Sequence, residues 1–389
     1  MKYRILGKTG EKVSVLGYGC MRFPLILGRE DDAKNIDVPE AIRLIRHAID
    51  SGVNYIDTAY YYHGSESEKV VGLALRDGYR EKAFIATKSP VYAFQKEEDF
   101  FNVLDEQLHR LQTDRIDFYL LHALNRETWE KVVLRFGILD KLRQAKEEGK
   151  IRHIGFSFHD DVQTFKDIVD YTDIWEFCQI QINYLDVSVQ AGLEGLRYAA
   201  EKGLGVISME PLKGGFLANL PDNAKTVLHE SGENRSQVDW ALSFLWDMPE
   251  ISLLLSGMSS FEQLEENLNL ASKSSVGMLS DRQKKTIAGV QEILSKDSVV
   301  PCTGCGYCSE CPKKIAIPHI FSAYKKYQIY GDLNGAREMY DEVLAKFSPV
   351  RGSECIGCRT CEKICPQQIK ISEWMPKIDG KLGESAENV

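Results

Sequence analysis

The chain has 389 residues, 43% hydrophobic and 27% charged, a composition that excludes wholesale disorder. Its 48 Lys and Arg against 57 Asp and Glu give a formal charge of −9, which argues against a general nucleic-acid binder. No apolar run approaches the ~18 residues that cross a bilayer, so a membrane is not an expected partner either. The opening MKYRILGKTGEK has basic residues but no apolar core of a secretory signal, so the cytoplasm is the expected location.

In chain order, Tyr3–Val15 reads as a hairpin, with Gly7 and Gly10 as turn residues. Short β-rich runs follow at Val15–Gly17, Tyr55–Asp57, Phe84–Lys88, Phe118–His122, His153–Ser157, Cys178–Gln181, Gly205–Met209 and Ser252–Leu255. Between them lie amphipathic patterns such as Glu40–Asp50, Glu66–Asp77, Phe100–Leu111, Val132–Glu148 and Phe261–Leu270. Eight strands with crossover helices predict an α/β fold, a (β/α)8 TIM barrel; a doubly wound open sheet has a similar rhythm. A barrel of eight units usually needs about 250 residues, which favours it here. Around Ser295–Val300 the alternation stops and cysteine density rises. The expected domains are therefore a barrel over 1–290, a small α-rich cysteine domain over 291–377, and a frayed tail over 378–389. Within the second, Ile320–Ile329 and Ala336–Phe347 read as helices.

Two of the ten cysteines, Cys20 and Cys178, are isolated and read as small buried hydrophobes. The other eight form two runs, Cys302-x2-Cys305-x2-Cys308-x2-Cys311-Pro312 and Cys355-x2-Cys358-x2-Cys361-x3-Cys365-Pro366. In a cytosolic chain such clustering points to metal rather than disulfides. Zinc knuckles are the bland alternative, but they usually pair Cys-x2-Cys units across a longer loop. The runs resemble bacterial-type two-cluster ferredoxin modules, in which the fourth cysteine of each run ligates the other cluster. That resemblance implies one [4Fe–4S] cluster on Cys302, Cys305, Cys308 and Cys365, and another on Cys355, Cys358, Cys361 and Cys311. The first run departs from the pattern by having x2 before its last cysteine.

No G-x-G-x-x-G follows a strand. The informative residues stand at strand ends, where barrel enzymes keep their chemistry. Asp57 ends the second barrel strand, Lys88 the third and His122 the fourth, and Tyr62 lies in the loop after Asp57. Singly, each has a dull reading: a loop cap, a surface cation, a satisfied core histidine, one of three tyrosines. Their joint placement at successive carboxyl ends points to a catalytic constellation.

Over roughly residues 1–285 the chain resembles the aldo-keto reductase superfamily. The resemblance rests on Asn54–Tyr62, Ala86–Lys88, Tyr119–His122, Ile154–Ser157, Gln181–Tyr184, Glu210–Gly215 and the stretch from Ser256 to Asn267. With the cysteine runs, the whole chain is similar to the iron–sulfur-containing branch of that superfamily. The resemblance implies NAD(P)-dependent hydride transfer between a nicotinamide and a small carbonyl or alcohol. Tyr62 would protonate the carbonyl oxygen, Lys88 would lower the phenol's pKa, Asp57 would orient Lys88, and His122 would position the carbonyl. Ser157 and Gln181 would hold the nicotinamide carboxamide. Gly19, Met21, Met209, Pro211, Leu212, Gly214, Gly257, Ser259, Gln263, Glu266 and Asn267 complete the implied cofactor contacts. Met209 stands where many relatives place an aromatic ring. Relatives preferring NADP carry Lys or Arg in the stretch matching Gly257–Gln263. This chain has none there, and Glu262 would repel a 2′-phosphate, so the reading leans to NAD. Substrate choice would rest on loops such as Leu25–Lys34 and Arg126–Phe136. One alternative adds a flavin and sends electrons through the clusters to a redox partner protein such as ferredoxin. The other is a nicotinamide-sensing subunit without turnover.

Overall fold

The computed structural model describes residues 1–27, 34–296 and 300–383. Eight parallel strands close into a barrel: β3 (Leu16–Gly19), β4 (Tyr55–Asp57), β5 (Phe84–Ser89), β6 (Ile116–Leu124), β7 (Ile151–Phe158), β8 (Phe177–Gln181), β9 (Gly205–Met209) and β10 (Ile251–Ser256), the last pairing back onto β3. All eight predicted strands are among them. Ahead of the barrel, β1 (Tyr3–Ile5) and β2 (Lys12–Ser14) form the antiparallel hairpin. Its turn side chain Leu6 joins Val13 in a buried cluster with Tyr55, Phe118, Phe177 and Leu253, which stand at or near the amino ends of their strands. The hairpin thus plugs the mouth opposite the strands' carboxyl ends. Phe118 packs edge-on against Phe84 and Phe177, with ring centroids 5.4 and 5.3 Å apart.

The strands read as continuous apolar runs because both their faces are buried, one inside the barrel and one under helices. The helices cover them with one stripe each. Val38–Asp50 is typical: Asp37 caps its first turn by accepting the Glu40 amide, and Ala41, Leu44, Ile45 and Ala48 are buried. The predicted helix Val132–Glu148 is interrupted. Trp129–Leu134 winds as a wider π turn, and Ile138–Glu147 restarts after Gly137, whose φ of 60° suits a residue without Cβ.

The chain packs as two compact units, Met1–Leu212 with Val238–Ser280, and Lys213–Gln237 with Asp281–Val389. The sequence pattern assigns everything before residue 290 to the barrel. By packing, two stretches of that alternation instead belong with the C-terminal unit. Within that unit, helix Asp222–Glu230 lies along helix Asp281–Lys296, with Val227 against Gly289, and the Arg282 guanidinium donates to the Ser231 carbonyl at 2.7 Å. Gly214, at φ 63°, abuts the Thr303 backbone so closely that a Cβ would clash.

Helices Ile317–Tyr330, Leu333–Lys346 and Ile371–Leu382 build the core of the second unit around Ile320, Phe321, Tyr340, Met375 and Ile378. The last helix continues past Lys377, where the sequence pattern predicts fraying, because Ile378 and Leu382 are buried. Of the predicted tail, residues 384–389 lie outside the described residues, as do 28–33 of the Leu25–Lys34 loop and 297–299 of the Ser295–Val300 boundary. Among the described residues, no helix is long and apolar enough to cross a membrane.

Candidate active site and cluster cavities

Alternate residues of a strand share a face, and the barrel's register carries that face upward from strand to strand. Asp57 pairs with Ala86, Lys88 with Leu120, and His122 lies two residues beyond Leu120. Each of the three thus stands further along its strand on the inner side. Tyr62 arrives from the loop after β4, whose next residues, His63 and Gly64, take left-handed conformations. The Phe23 amide donates to His63 Nε2 at 3.0 Å, and the two rings stack at 5.3 Å, which holds this loop in place.

The four predicted catalytic side chains meet. Lys88 Nζ donates to Asp57 Oδ1 at 2.6 Å, to the Thr58 carbonyl at 2.8 Å and to the Tyr62 hydroxyl at 3.2 Å. The Tyr62 and His122 rings pack edge to face with centroids 6.0 Å apart. All four are buried, Lys88 to 1% exposure. Burial alone would push the Lys88 ammonium toward neutrality, but Asp57 and Tyr62 outweigh it and hold its pKa above the ordinary value. His122 is driven well below its usual range by burial, by the Lys88 charge and by His159, so it stays neutral. His159, not foreseen from the sequence, is likewise lowered to about 4 by burial, against the hydrogen bond its Nδ1 donates to Gln190 Oε1 at 3.2 Å.

A buried network under these residues also escaped the sequence reading. Glu68 accepts from Thr87 and Gln107, each at 2.6 Å, and pairs with Arg110 at 3.2 Å. Gln107 further donates to the Lys88 carbonyl at 3.1 Å, and Arg110 to the Tyr60 carbonyl at 3.2 Å. The strand bearing Lys88 and the loop bearing Tyr62 are therefore tied to one carboxylate.

The implied cofactor residues fall in several places. Ser157 Oγ accepts the Ala123 amide at 2.8 Å. Gln181 already donates to Asp186 at 2.9 Å and accepts from Gln190 at 3.4 Å. Its neighbour on the same face, Gln179, reaches Met209 Sδ at 3.6 Å, while its buried Oε1 has no hydrogen-bond partner among the described residues. The shared period of two leaves positions 179 and 181 indistinguishable in sequence.

Gly19 ends β3, where a Cβ would stand 3.3 Å from the Ser256 carbonyl, and Met21 follows in the next turn. Met209 ends β9, followed by Pro211 and Leu212, while Gly214 packs within the second unit. Ser259 donates through its hydroxyl to the Arg22 carbonyl at 2.9 Å and through its amide to Gln263 Oε1 at 2.8 Å. Asn267 donates to Ser256 Oγ at 2.8 Å, and Glu266 precedes it on the helix Phe261–Lys273. The Arg22 stem lies against Gly257, 3.2–3.6 Å from where a Cβ would stand. Arg22, outside the Gly257–Gln263 stretch, thus packs its stem on it.

In the second unit the cysteines line two cavities. Cys302, Cys305, Cys308 and Cys365 wall one with Phe321 and Ile369; Cys311, Cys355, Cys358 and Cys361 wall the other with Ile317 and Met375. Each cavity thus takes three thiols from one run and one from the other. Weak sulfur-directed donors orient them: the Gly304 amide reaches Cys302 Sγ at 3.4 Å and the Thr360 hydroxyl reaches Cys358 Sγ at 3.6 Å. Among the described residues, no three His, Cys, Asp or Glu side chains converge on a point that one metal ion could hold. Four thiols around an open centre suit a cubane, whose corners are farther apart than the ligands of one ion.

Residues 15–290 match the aldo/keto reductase family, and residues 301–370 match the 4Fe-4S dicluster domain. L-galactose dehydrogenase of Arabidopsis thaliana is 31% identical over 325 residues, covering 76% of this chain and 94% of that one. An uncharacterized oxidoreductase of Bacillus subtilis is 27% identical over 306 residues, covering 70% and 91%. Among solved structures, the holo form of an aldo-keto reductase from Bacillus halodurans superposes with a TM-score of 0.61 at 24% identity, covering 75% of this chain and 96% of that one. A thermostable aldo-keto reductase in complex with the inhibitor epalrestat gives 0.60 at 26%, covering 75% and 100%. The chain belongs to the aldo/keto reductase family as an NAD(P)-dependent oxidoreductase, and carries a C-terminal 4Fe-4S dicluster domain.

Proposed function

We propose that the chain interconverts a small-molecule carbonyl and its alcohol, with Tyr62 as the proton donor and acceptor. The observation that carries this is the buried chain Asp57–Lys88–Tyr62, at 2.6 and 3.2 Å, with neutral His122 packed on the tyrosine ring. When bound, a reduced nicotinamide supplies the hydride to the carbonyl carbon. As negative charge gathers on the carbonyl oxygen, Tyr62 gives up its phenolic proton there. The Lys88 ammonium stabilises the charge left on the phenol oxygen, and Asp57 keeps that ammonium charged and aimed. His122, neutral, holds the carbonyl by a hydrogen bond. In alcohol oxidation the same groups act in reverse.

Ser157 and Gln181 would hold the carboxamide, with Asp186 and Gln190 orienting Gln181. NAD(H) is expected to bind at least as well as NADP(H), since Gly257–Gln263 has no cation; Arg22 would then serve the phosphates common to both. The two four-cysteine cavities would hold one [4Fe–4S] cluster each, for electron transfer or structure. Neither matched family supports the flavin of the alternative reading. The intact tetrad weighs against a sensor without turnover.

The test is Lys88→Met. Carbonyl reduction should fall by at least about a hundredfold, with nicotinamide binding by fluorescence titration kept within a few-fold. Retained reduction would refute the assignment.

A further inference from the structure

The two cysteine cavities differ at their rims. Among the described residues, the cavity of Cys302, Cys305, Cys308 and Cys365 has no charged side chain in its wall. The wall of the other includes Lys313, Arg359 and Ile356, beside Cys358. Cys358 is the one cysteine classed as exposed, and Ile356 is 61% exposed. Lys314 and Lys363, next in sequence to this rim, are exposed as well, as is the apolar Ile364. Acidic neighbours are partly engaged elsewhere. Glu362 accepts the Ser372 amide and hydroxyl through Oε1 at 2.7 and 2.6 Å, while its Oε2 pairs with Arg359 Nε at 4.0 Å, and Glu354 accepts the Arg351 amide at 2.9 Å. Glu310 is exposed and remains as an opposing charge.

On a chain of net charge −9, exposed cations around an exposed thiol and an exposed isoleucine are a local reversal of sign. Such a surface has an apolar centre, a charged rim and a redox-group ligand at its middle. Fields of this kind steer oppositely charged partners and orient their approach. We propose that the face formed by Lys313, Lys314, Ile356, Cys358, Arg359 and Lys363 docks an acidic one-electron carrier protein. The proposal rests on the assignment of a [4Fe–4S] cluster to the Cys311, Cys355, Cys358, Cys361 cavity. Electron exchange there is simple to balance: the reduced carrier loses one electron, the oxidised cluster gains one, and no bond forms or breaks. A nucleic acid would also meet the positive charge, but it has no use for an exposed thiol ligand at the centre.

The experiment uses the anaerobic holoenzyme, with iron and sulfide assayed first. An acidic plant-type [2Fe–2S] ferredoxin, chemically reduced, serves as the probe, and stopped-flow absorbance follows cluster reduction. The second-order rate is expected to drop steeply between about 0.05 and 0.5 M salt. In Lys313→Glu/Lys363→Glu it should fall at least tenfold at low salt, while reduction by dithionite stays unchanged. Ile356→Ser, which leaves the charges alone, should slow the same step without altering its salt dependence. A rate insensitive to salt and to both variants, in protein holding both clusters, overturns the docking face alone. Protein lacking the second cluster overturns the cluster assignment and the face with it. Salt-sensitive binding of a single-stranded oligonucleotide, without response to ferredoxin, would assign the surface to nucleic acid and likewise reject the proposal.

Discussion

The backbone amide of Ala123 donates to the Ser157 hydroxyl at 2.8 Å, at the place where the register between β6 and β7 slips. Ala123 has φ 54°, a left-handed conformation that costs a non-glycine residue about 1–2 kcal/mol. It directly follows His122, so the bulge sets the direction of that imidazole. The hydroxyl of Ser157 offsets the strain by satisfying the amide. Ser157→Ala should lower kcat about tenfold and stability by about 1 kcal/mol. Ala123→Gly, which accepts the same φ freely, should leave kcat near wild type. Full activity in Ser157→Ala would separate the bulge from catalysis.

The pH profile offers a second check. His122 is held well below its ordinary pKa by burial and by Lys88, so its charge does not change between pH 6 and 8. The rate of carbonyl reduction should therefore show no histidine limb in that window. His159, lowered to about 4, is neutral there too. Because both histidines bind protons more readily once unfolded, stability contributed by their neutral burial is full above about pH 6.5. It is lost as pH falls from there toward 4. A clear kinetic step near pH 6.5 that vanishes in His122→Asn would contradict this placement.

Glu68 is fully buried and bonds Thr87, Gln107 and Arg110, while the latter two hold the Lys88 and Tyr60 carbonyls. Arg110→Met should free the Tyr60 carbonyl and slacken the loop carrying Tyr62. The expected result is a kcat reduced about tenfold with KM nearly unchanged, since the interaction lost matters most in the transition state. Unchanged kcat with a lower Tm would make the network purely structural.

Each cavity draws its fourth thiol from the opposite cysteine run, and each is proposed to hold one cluster. Anaerobic protein should accordingly contain about eight iron and eight sulfide per chain. Cys365→Ser should disturb the cluster of the first run, and Cys311→Ser that of the second, as read by electron paramagnetic resonance of the reduced protein. Colourless protein with stoichiometric zinc would contradict the assignment.

The barrel was legible because each strand is a short apolar run bounded by amphipathic helices, and the register then follows from parallel pairing. The tetrad was legible for a related reason: Asp57, Lys88 and His122 stand at or near the carboxyl ends of successive strands. Where several residues share one period, sequence ran out. Gln179 and Gln181 face the same way, and only the Asp186 and Gln190 bonds show that Gln181 is engaged. Gly137 broke a helix whose apolar pattern continues across it. Arg22 lies far in sequence from the loop it packs on, and Glu68, Gln107 and Arg110 look like ordinary helix-surface residues until their helices are placed over β5. The grouping of Lys213–Gln237 with the C-terminal unit depends on contacts such as Gly214 on Thr303, which no local pattern announces.

Tyr62→Phe tests the central claim most directly, because it removes one oxygen and leaves the ring's packing on His122. Nicotinamide affinity should stay within a few-fold of wild type, and cluster absorbance should be unchanged. Carbonyl reduction should fall by about 10²–10⁴-fold, the loss typical of a missing general acid. Carbonyl reduction at the wild-type rate in that variant would contradict the account, since the 3.2 Å contact from Lys88 to the Tyr62 hydroxyl would then serve no proton.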